Sequence, residues 1–231
     1  KTLELNPGYE QAYCNRAYVY THLNRDKEAI ADCDAAIKLN AKSEEAYSNR
    51  GNAKTNMGMH TEAIEDFNAA IQINPKFSIA YQNRADTRLI LREYNDALAD
   101  ADMAIRLSPT SAAAYTISAK IKAAQNRQEE AMTDVNEAIN RDAGYANAYN
   151  CRGLIKASLN LWPEAVADYT RATLLNPGNE EPYVNRAVAK GAIGKYADAM
   201  TDYDTAIKLN PGNAEIYYNR ALARCMQQQY E

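Results

Sequence analysis

Asparagine recurs through the chain at intervals of 34 residues or small multiples of 34. The series is Asn15, Asn49, Asn83, Asn185 and Asn219, with Ile117 and Cys151 at the two intervening positions. A side-chain amide both donates and accepts hydrogen bonds, as do the N–H and C=O groups of an extended peptide. We therefore predict that these amides bind a peptide backbone with little dependence on its sequence. Two alternatives remain open: the amides cap or bridge neighbouring helices, or they persist from duplication without a binding role.

Arginine and aspartate form a second set with the same interval. Arginine follows the asparagine position in six copies, at Arg16, Arg50, Arg84, Arg152, Arg186 and Arg220. Aspartate recurs at Asp32, Asp66, Asp100, Asp134, Asp168 and Asp202. Because a guanidinium can engage a carboxylate through two hydrogen bonds, we predict structural ion pairs such as Arg50–Asp66, Arg84–Asp100 and Arg186–Asp202. Ser118 replaces the arginine opposite Asp134, so we expect no such pair there. We favour this structural interpretation over a phosphate- or carboxylate-binding site.

The elements that position these residues follow from the same interval, because a fixed period of this size is typical of helical solenoids. With the first position set at Glu10, the fourth is Tyr in every copy, from Tyr13 to Tyr217, and the eighth is always Ala or Gly. A spacing of four places these residues on one face of a first helix, A. Alanine at positions twenty and twenty-seven marks a second helix, B, which also packs through small residues.

Proline marks the end of most B helices, because it disfavours helix in the residue before it. The junctions are Asn6-Pro7, Asn74-Pro75, Ser108-Pro109, Asn176-Pro177 and Asn210-Pro211. Ala41 and Ala143 replace this proline in two copies, where we expect the helix to end less sharply.

This pattern resembles the tetratricopeptide repeat, or TPR. It has an aromatic residue at position four, a small residue at eight, Ala at twenty and twenty-seven, and Pro at thirty-two. The resemblance covers the whole chain and implies an all-α, right-handed superhelix, an α-solenoid of helix-turn-helix repeats. The chain departs from the TPR pattern at position seven, where Arg replaces Leu, and at eleven, where Lys or Arg mostly replaces Tyr.

The repeat boundaries follow from this alignment. Residues 1–9 end a preceding repeat, six repeats cover 10–43, 44–77, 78–111, 112–145, 146–179 and 180–213, and residues 214–231 form the first helix of a truncated repeat. The repeat at 112–145 is atypical. Because both ends of the chain match its interior sequence, we expect that it is cut from a longer array and that its ends associate weakly with one another.

In TPR superhelices, positions two, six, nine and thirteen of helix A line a concave wall, and the resemblance implies the same wall here. The asparagine series resembles the amide ladder of the O-linked N-acetylglucosamine transferase TPR superhelix, which engages substrate peptides. The wall beside it is polar at Asn52 and Asn56 and apolar at Leu154 and Val188, and we predict peptide contacts at all four. The carboxylate clamp of chaperone-binding TPRs is absent, because position two never carries Lys.

Composition restricts the partner. A net charge of -4 and a pI near 5.4 argue against nucleic acid. No apolar run approaches the roughly 18 residues that span a bilayer, so we expect no membrane insertion. The four cysteines form no CxxC pair, which favours reduced thiols and a cytoplasmic location. The two histidines form no metal-binding pattern.

We predict no enzymatic activity and no cofactor, because the sequence holds no nucleophile with an adjacent base and no phosphate loop. The predicted function is a non-catalytic scaffold that binds an extended peptide or a partner helix in the concave groove. Two alternatives remain: a substrate-docking TPR region of a larger enzyme, such as a peptide glycosyltransferase, and a self-assembling scaffold.

Overall fold

The computed structural model describes the backbone of residues 8–230 and the side chains of residues 8–227. The predicted end of a preceding repeat therefore lies almost wholly outside the described residues, as does Asn6-Pro7. Residues 8–230 form thirteen α-helices, and no strand occurs among them. The fold is an all-α solenoid of helical repeats.

The chain divides into two compact units, one up to Thr110 and one from Ser111 onward. Unit 1 contains α1 Glu10–His22, α2 Asp26–Leu39, α3 Glu44–Asn56, α4 His60–Ile73, α5 Ser78–Ile90 and α6 Tyr94–Leu107. Unit 2 contains α7 Ala112–Ala124, α8 Gln128–Arg141, α9 Ala146–Ser158, α10 Trp162–Leu175, α11 Glu181–Ala192, α12 Tyr196–Leu209 and α13 Ala214–Tyr230.

Each odd-numbered helix up to α11 forms a hairpin with the helix that follows it. We call the odd-numbered helices A helices and the even-numbered ones B helices. Within a unit, each A helix also packs against the next A helix, and each B helix packs against the A helix of the next hairpin. The A helices of one unit therefore form one layer and its B helices another.

The helices approach closely because the residues between them are small. The alanines at positions twenty and twenty-seven are all fully buried, from Ala29 and Ala36 to Ala199 and Ala206. The two glycines at position eight accommodate aromatic rings from the B helix. A Cβ atom added at Gly51 would lie 2.6 Å from the Phe67 ring, and one added at Gly153 would lie 2.4 Å from the Tyr169 ring. Glycine is therefore required at these two positions.

Each turn from helix A to helix B contains one residue with positive φ. These residues are Asn24 (56°), Gly58 (78°), Arg92 (61°), Asn126 (60°), Asn160 (60°) and Gly194 (75°). Glycine adopts this conformation without penalty, and asparagine tolerates it better than most residues. Arginine has no such advantage, so Arg92 is the strained member of the series.

The B helices end at the same repeat position whether or not proline follows, which corrects the expectation for Ala41 and Ala143. The helices before these residues end at Leu39 and Arg141, the positions equivalent to Ile73 and Leu107. The physical reason is an Asx turn. The Asn40 side chain accepts a hydrogen bond from the Lys42 backbone N–H at 3.0 Å, and Asp142 accepts one from Gly144 at 2.8 Å.

Candidate functional site

The asparagine series in unit 1 is bonded to the preceding A helix. The Nδ2 atom of Asn49 donates to the Cys14 backbone oxygen at 3.2 Å, and that of Asn83 donates to the Ser48 Oγ at 3.3 Å. Asn15, the exposed first member, accepts a hydrogen bond from Gln11 Nε2 at 3.3 Å. The helix-bridging alternative thus describes part of what these amides do.

Bridging uses only part of each amide's hydrogen-bonding capacity. A primary amide carries two N–H donors and one carbonyl acceptor. Asn49 and Asn83 each use one donor, and within the described part of the chain neither side-chain oxygen accepts a hydrogen bond. Neither oxygen is sealed from solvent. Each amide is therefore held in one orientation while a donor and an acceptor stay available.

Polar and aromatic side chains surround the series in unit 1. Asn52 is half-buried, and exposed Asn56 donates to the Asp26 carboxylate at 3.0 Å. Tyr18 is 57% exposed, and its ring meets that of His22 edge to face at 4.3 Å. We call this surface the unit 1 A face, defined by Asn15, Tyr18, His22, Asn49, Asn52, Asn56, Asn83 and Asp86.

On the corresponding surface of unit 2, two positions of the series lack asparagine and more of the neighbouring side chains are apolar. Cys151 is buried and Ile117 half-buried at the two positions where asparagine is missing. Asn185 donates to the Asn150 side-chain oxygen at 3.0 Å, and Asn150 in turn donates to Glu181 at 3.0 Å. The last member of the series, half-buried Asn219, lies on α13.

Position nine carries a row of exposed apolar side chains on the last three of the four A helices of unit 2, after Lys120 on the first. Leu154, Val188 and Leu222 are 41%, 45% and 52% exposed, and Met226 lies one turn after Leu222. We call these four residues, with Asn185 and Asn219, the unit 2 A face. Both apolar residues singled out in the sequence, Leu154 and Val188, lie in this row.

The arginines at position seven point towards the B helices. In five of the six, the guanidinium donates from Nε and Nη2 to both oxygens of one aspartate, whereas Arg220 donates from Nη1 to Asp204 at 2.7 Å. The distances are 2.6 and 2.6 Å for Arg16–Asp32, 3.0 and 2.6 Å for Arg50–Asp66, 2.8 and 2.6 Å for Arg84–Asp100, 3.0 and 2.6 Å for Arg152–Asp168, and 2.9 and 2.6 Å for Arg186–Asp202. These cations are engaged in packing and do not form an anion-binding surface.

Two further contacts complete most of these pairs. The basic residue at position eleven binds the same aspartate: Lys54–Asp66, Arg88–Asp100, Lys156–Asp168 and Lys190–Asp202 lie at 2.6 to 2.7 Å. The remaining guanidinium nitrogen, Nη1, reaches the B helix of the preceding hairpin. Its acceptors there are Asp34 for Arg50, Asn68 for Arg84, Asn136 for Arg152 and Thr170 for Arg186. Sequence reasoning missed this bridge between hairpins.

The hairpin α7–α8 has a different contact at this place. Ser118, which is fully buried, donates to Asp134 at 2.6 Å, and Lys122 donates to the same carboxylate oxygen at 2.5 Å. The carboxylate is therefore satisfied by a hydroxyl and one cation.

The buried thiols are poor nucleophiles. Loss of hydration raises the pKa of Cys14 and of Cys151 to about 12, with Glu10 adding to the effect at Cys14. A thiol with a raised pKa is protonated at neutral pH and unreactive. Among residues 8–230, no helix is both long and apolar enough to cross a bilayer.

Three family models match the chain, and all three describe the tetratricopeptide repeat. They match residues 10–43, 44–77 and 192–228. The chain contains tetratricopeptide repeats. Asn15, Asn49, Asn219 and Leu222 lie within these matched segments, and Asn83, Asn185, Leu154 and Val188 lie between them.

Solved TPR structures share this fold. A thermophilic TPR protein of Thermus thermophilus is 22% identical, with a TM-score of 0.74, over 79% of this chain and 100% of its own. A TPR protein of Parabacteroides merdae is 20% identical, with a TM-score of 0.78, over 95% and 86%. YrrB, described as a TPR protein with an unusual peptide-binding site, is 16% identical, with a TM-score of 0.51, over 82% and 97%. No curated protein matches the chain. At these identities the likeness shows the fold alone.

Proposed function

We propose that the chain is a non-catalytic protein-binding module and that its unit 1 A face holds an extended peptide. The proposal rests on the side-chain amides of Asn49 and Asn83, which use only part of their hydrogen-bonding capacity. Each amide is oriented by a hydrogen bond to the preceding helix and keeps a donor and an acceptor for a ligand. YrrB, which has the same fold, is described as having a peptide-binding site.

The spacing of the amides suits an extended chain. Neighbouring packed helices lie about 10 Å apart, and an extended peptide rises about 3.3 Å per residue. Each amide in the series would therefore meet about every third residue of the peptide. Backbone groups are common to all peptides, so side-chain selectivity would come from neighbours such as Tyr18 and Asn52.

The test uses a peptide selected on the intact chain from a displayed library of random dodecapeptides. Fluorescence anisotropy would measure its affinity for the parent chain and for the variant Asn15→Ala/Asn49→Ala/Asn83→Ala. Each lost hydrogen bond contributes about 0.5–1.5 kcal/mol net, so we expect binding at least tenfold weaker. Circular dichroism checks that the variant remains helical, as expected because Ala is the better helix former.

Two controls separate backbone recognition from other modes. The variant Asn185→Ala/Asn219→Ala removes the same chemistry from unit 2 and should leave the affinity nearly unchanged. N-methylation of single peptide bonds in the ligand should weaken binding at about every third residue. Unchanged affinity of the triple variant would show that the peptide binds elsewhere and that the amides serve only to bridge helices.

A second candidate is an apolar partner segment on the unit 2 A face. The row Leu154, Val188 and Leu222 supports it, because these exposed side chains lie on three successive A helices. Replacing Leu154 and Val188 by Asp should abolish binding of any ligand that uses this row. The same change should leave the unit 1 ligand unaffected.

A further inference from the structure

The amides of Asn49 and Asn83 occupy equivalent places on two neighbouring A helices of unit 1. Each Nδ2 atom is bonded to the A helix before it, that of Asn49 to the Cys14 backbone oxygen and that of Asn83 to the Ser48 Oγ. Asn49 lies on α3, which packs against an A helix on either side. The two amides are therefore one helix spacing apart, and each keeps one N–H and its oxygen for a ligand.

That spacing restricts the conformation of a bound peptide. Cα atoms of α3 and α5 approach within 8 Å of one another, and the axes of packed helices lie about 8–10 Å apart. In a β-strand, backbone groups that face the same side recur every second residue, at about 6.6 Å and then at about 13 Å. Neither distance matches the helix spacing. A β-strand that bonds to one amide would therefore turn its backbone groups away from the next.

A polyproline II helix has the required repeat. It has three residues per turn and rises about 3.1 Å per residue, so equivalent backbone groups recur about every 9.3 Å. Its N–H and C=O groups make no internal hydrogen bonds, which leaves them available to Asn49 and Asn83. An α-helical partner lacks this property, because the N–H and C=O groups in its interior bond to one another.

The same geometry restricts the sequence of the peptide. One residue in each turn faces an amide and needs its N–H, which proline lacks. The other two residues of the turn face away from the amides. Proline at those positions fixes φ at about −65° and reduces the entropy lost on binding. Unit 2 offers no equivalent series, because half-buried Ile117 and buried Cys151 replace two of its asparagines.

We propose that the ligand of the unit 1 A face is a polyproline II segment with the repeating pattern x-Pro-Pro, in which x is any residue except proline. The N–H of each x residue donates to the side-chain oxygen of Asn49 or Asn83, and a neighbouring C=O accepts from the side-chain N–H. This inference rests on the proposed peptide-binding function, and it adds the conformation and the composition of the ligand.

The experiment titrates the intact chain into two fluorescent dodecapeptides and follows anisotropy. One peptide has four repeats of Ala-Pro-Pro and the other has six repeats of Ala-Pro. Both favour polyproline II, but their N–H groups recur every third and every second residue respectively. We expect saturable binding of the first peptide. The second should bind about fivefold more weakly, because fewer of its N–H groups meet an amide.

Variants of the chain place this binding on the amides. Asn49→Ala/Asn83→Ala should weaken binding of the Ala-Pro-Pro peptide about tenfold, because the hydrogen bonds of two amides are lost. Asn140→Ala is the control, since it removes an exposed asparagine from the B helix α8. It should leave the affinity unchanged.

A proline scan of the dodecapeptide selected on the intact chain gives a second measurement. Proline replaces each residue of that peptide in turn, and binding should weaken at every third position and persist at the two positions between. A β-strand ligand would instead show a period of two.

The outcomes separate this inference from the proposed function. If the selected peptide needs Asn49 and Asn83 but its proline scan has a period of two, the ligand is not a polyproline II segment, although the proposed function stands. Equal affinities of the Ala-Pro-Pro and Ala-Pro peptides would overturn the inference in the same way. If no peptide depends on the two amides, the proposed function is wrong and this inference with it.

Discussion

Unit 1 and unit 2 pack their helices through the same contacts but present different A faces. Both use alanine between helices A and B and an arginine that binds an aspartate through two hydrogen bonds. The unit 1 A face holds an uninterrupted series of three amides. In unit 2 the apolar residues Ile117 and Cys151 interrupt the series, and Leu154 and Val188 make the neighbouring row apolar.

The difference teaches which repeat positions are constrained by packing. Positions four, seven, eight, twenty, twenty-three and twenty-seven build the contact between helices, and they vary little between the units. Position nine varies more: it carries Tyr18, Asn52 and Asp86 in unit 1, and Lys120 followed by three apolar residues, Leu154, Val188 and Leu222, in unit 2. The A faces can therefore differ in ligand while the fold stays the same.

The largest expected effect concerns the ion pairs, which differ between the units at one hairpin. Arg84 and Asp100 in unit 1 are 14% and 5% exposed. Asp100→Ala leaves the poorly solvated Arg84 and Arg88 guanidinium groups without their shared carboxylate, so it should lower the free energy of unfolding by about 3 kcal/mol. Arg84→Ala leaves Asp100 paired with Arg88 and should cost less. In unit 2, Ser118→Ala removes a neutral donor and should cost only about 1 kcal/mol. Urea unfolding measures both.

A double-mutant cycle checks that Arg84 and Asp100 act on each other. The double variant should be less destabilised than the sum of the single variants, because the two hydrogen bonds between Arg84 and Asp100 are lost in either single variant and cannot be lost twice. If the losses of unfolding free energy in the two single variants simply add up to that of the double variant, the Arg84–Asp100 contact contributes nothing to stability. The two units would then not differ in stability through this contact.

The next effect should be equal in the two units. Gly51→Ala pushes a methyl group into the Phe67 ring in unit 1, and Gly153→Ala does the same to Tyr169 in unit 2. Overpacking of this kind costs about 2 kcal/mol, and denaturant unfolding should show a similar loss for both variants. Gly191→Ala is the control, since a Cβ there meets no atom within 4 Å. It should stabilise the helix by about 0.5 kcal/mol. If Gly191→Ala were as destabilising as Gly51→Ala and Gly153→Ala, the loss at those two positions could not be attributed to the Phe67 and Tyr169 rings.

The smallest effect distinguishes the turns. Arg92 in unit 1 and Asn126 in unit 2 have nearly the same positive φ, 61° and 60°. Because Asn tolerates this conformation better, Arg92→Gly should raise the free energy of unfolding by about 0.5–1 kcal/mol, and Asn126→Gly should change it less. Equal responses in thermal unfolding would show that the Arg92 side chain makes contacts that offset its backbone strain.

The sequence predicts the helices and the partners of the arginines well because both depend on the repeat period. Tyr at position four and Ala at eight define the packing face of helix A, and that face directs Arg84 towards Asp100 at 2.6 Å. Contacts within one hairpin follow from helical geometry and one fixed interval. The helix termini are also predictable, although for Ala41 and Ala143 the Asx turn at the preceding residue replaces the signal of proline.

Contacts between hairpins are harder to predict. The hydrogen bond from Asn49 to the Cys14 backbone and the one from Arg84 to Asn68 both depend on how far one hairpin rotates against the next. A repeat pattern specifies the period and leaves this rotation open. The repeat pattern also does not predict the contact between Gly51 and the Phe67 ring, because that contact depends on the axial position of one helix relative to its neighbour.

Four arginines, Arg50, Arg84, Arg152 and Arg186, each contact two B helices, and this has a consequence for how the molecule unfolds. Within a unit, the Arg186 guanidinium holds Asp202 of its own hairpin and Thr170 of the preceding one. Separating α11 from either neighbour therefore breaks bonds of the same side chain, and a repeat protein with such interfaces unfolds in blocks larger than one repeat. Slow-exchanging amides of adjacent hairpins should consequently become exposed to solvent together, in a single cooperative step.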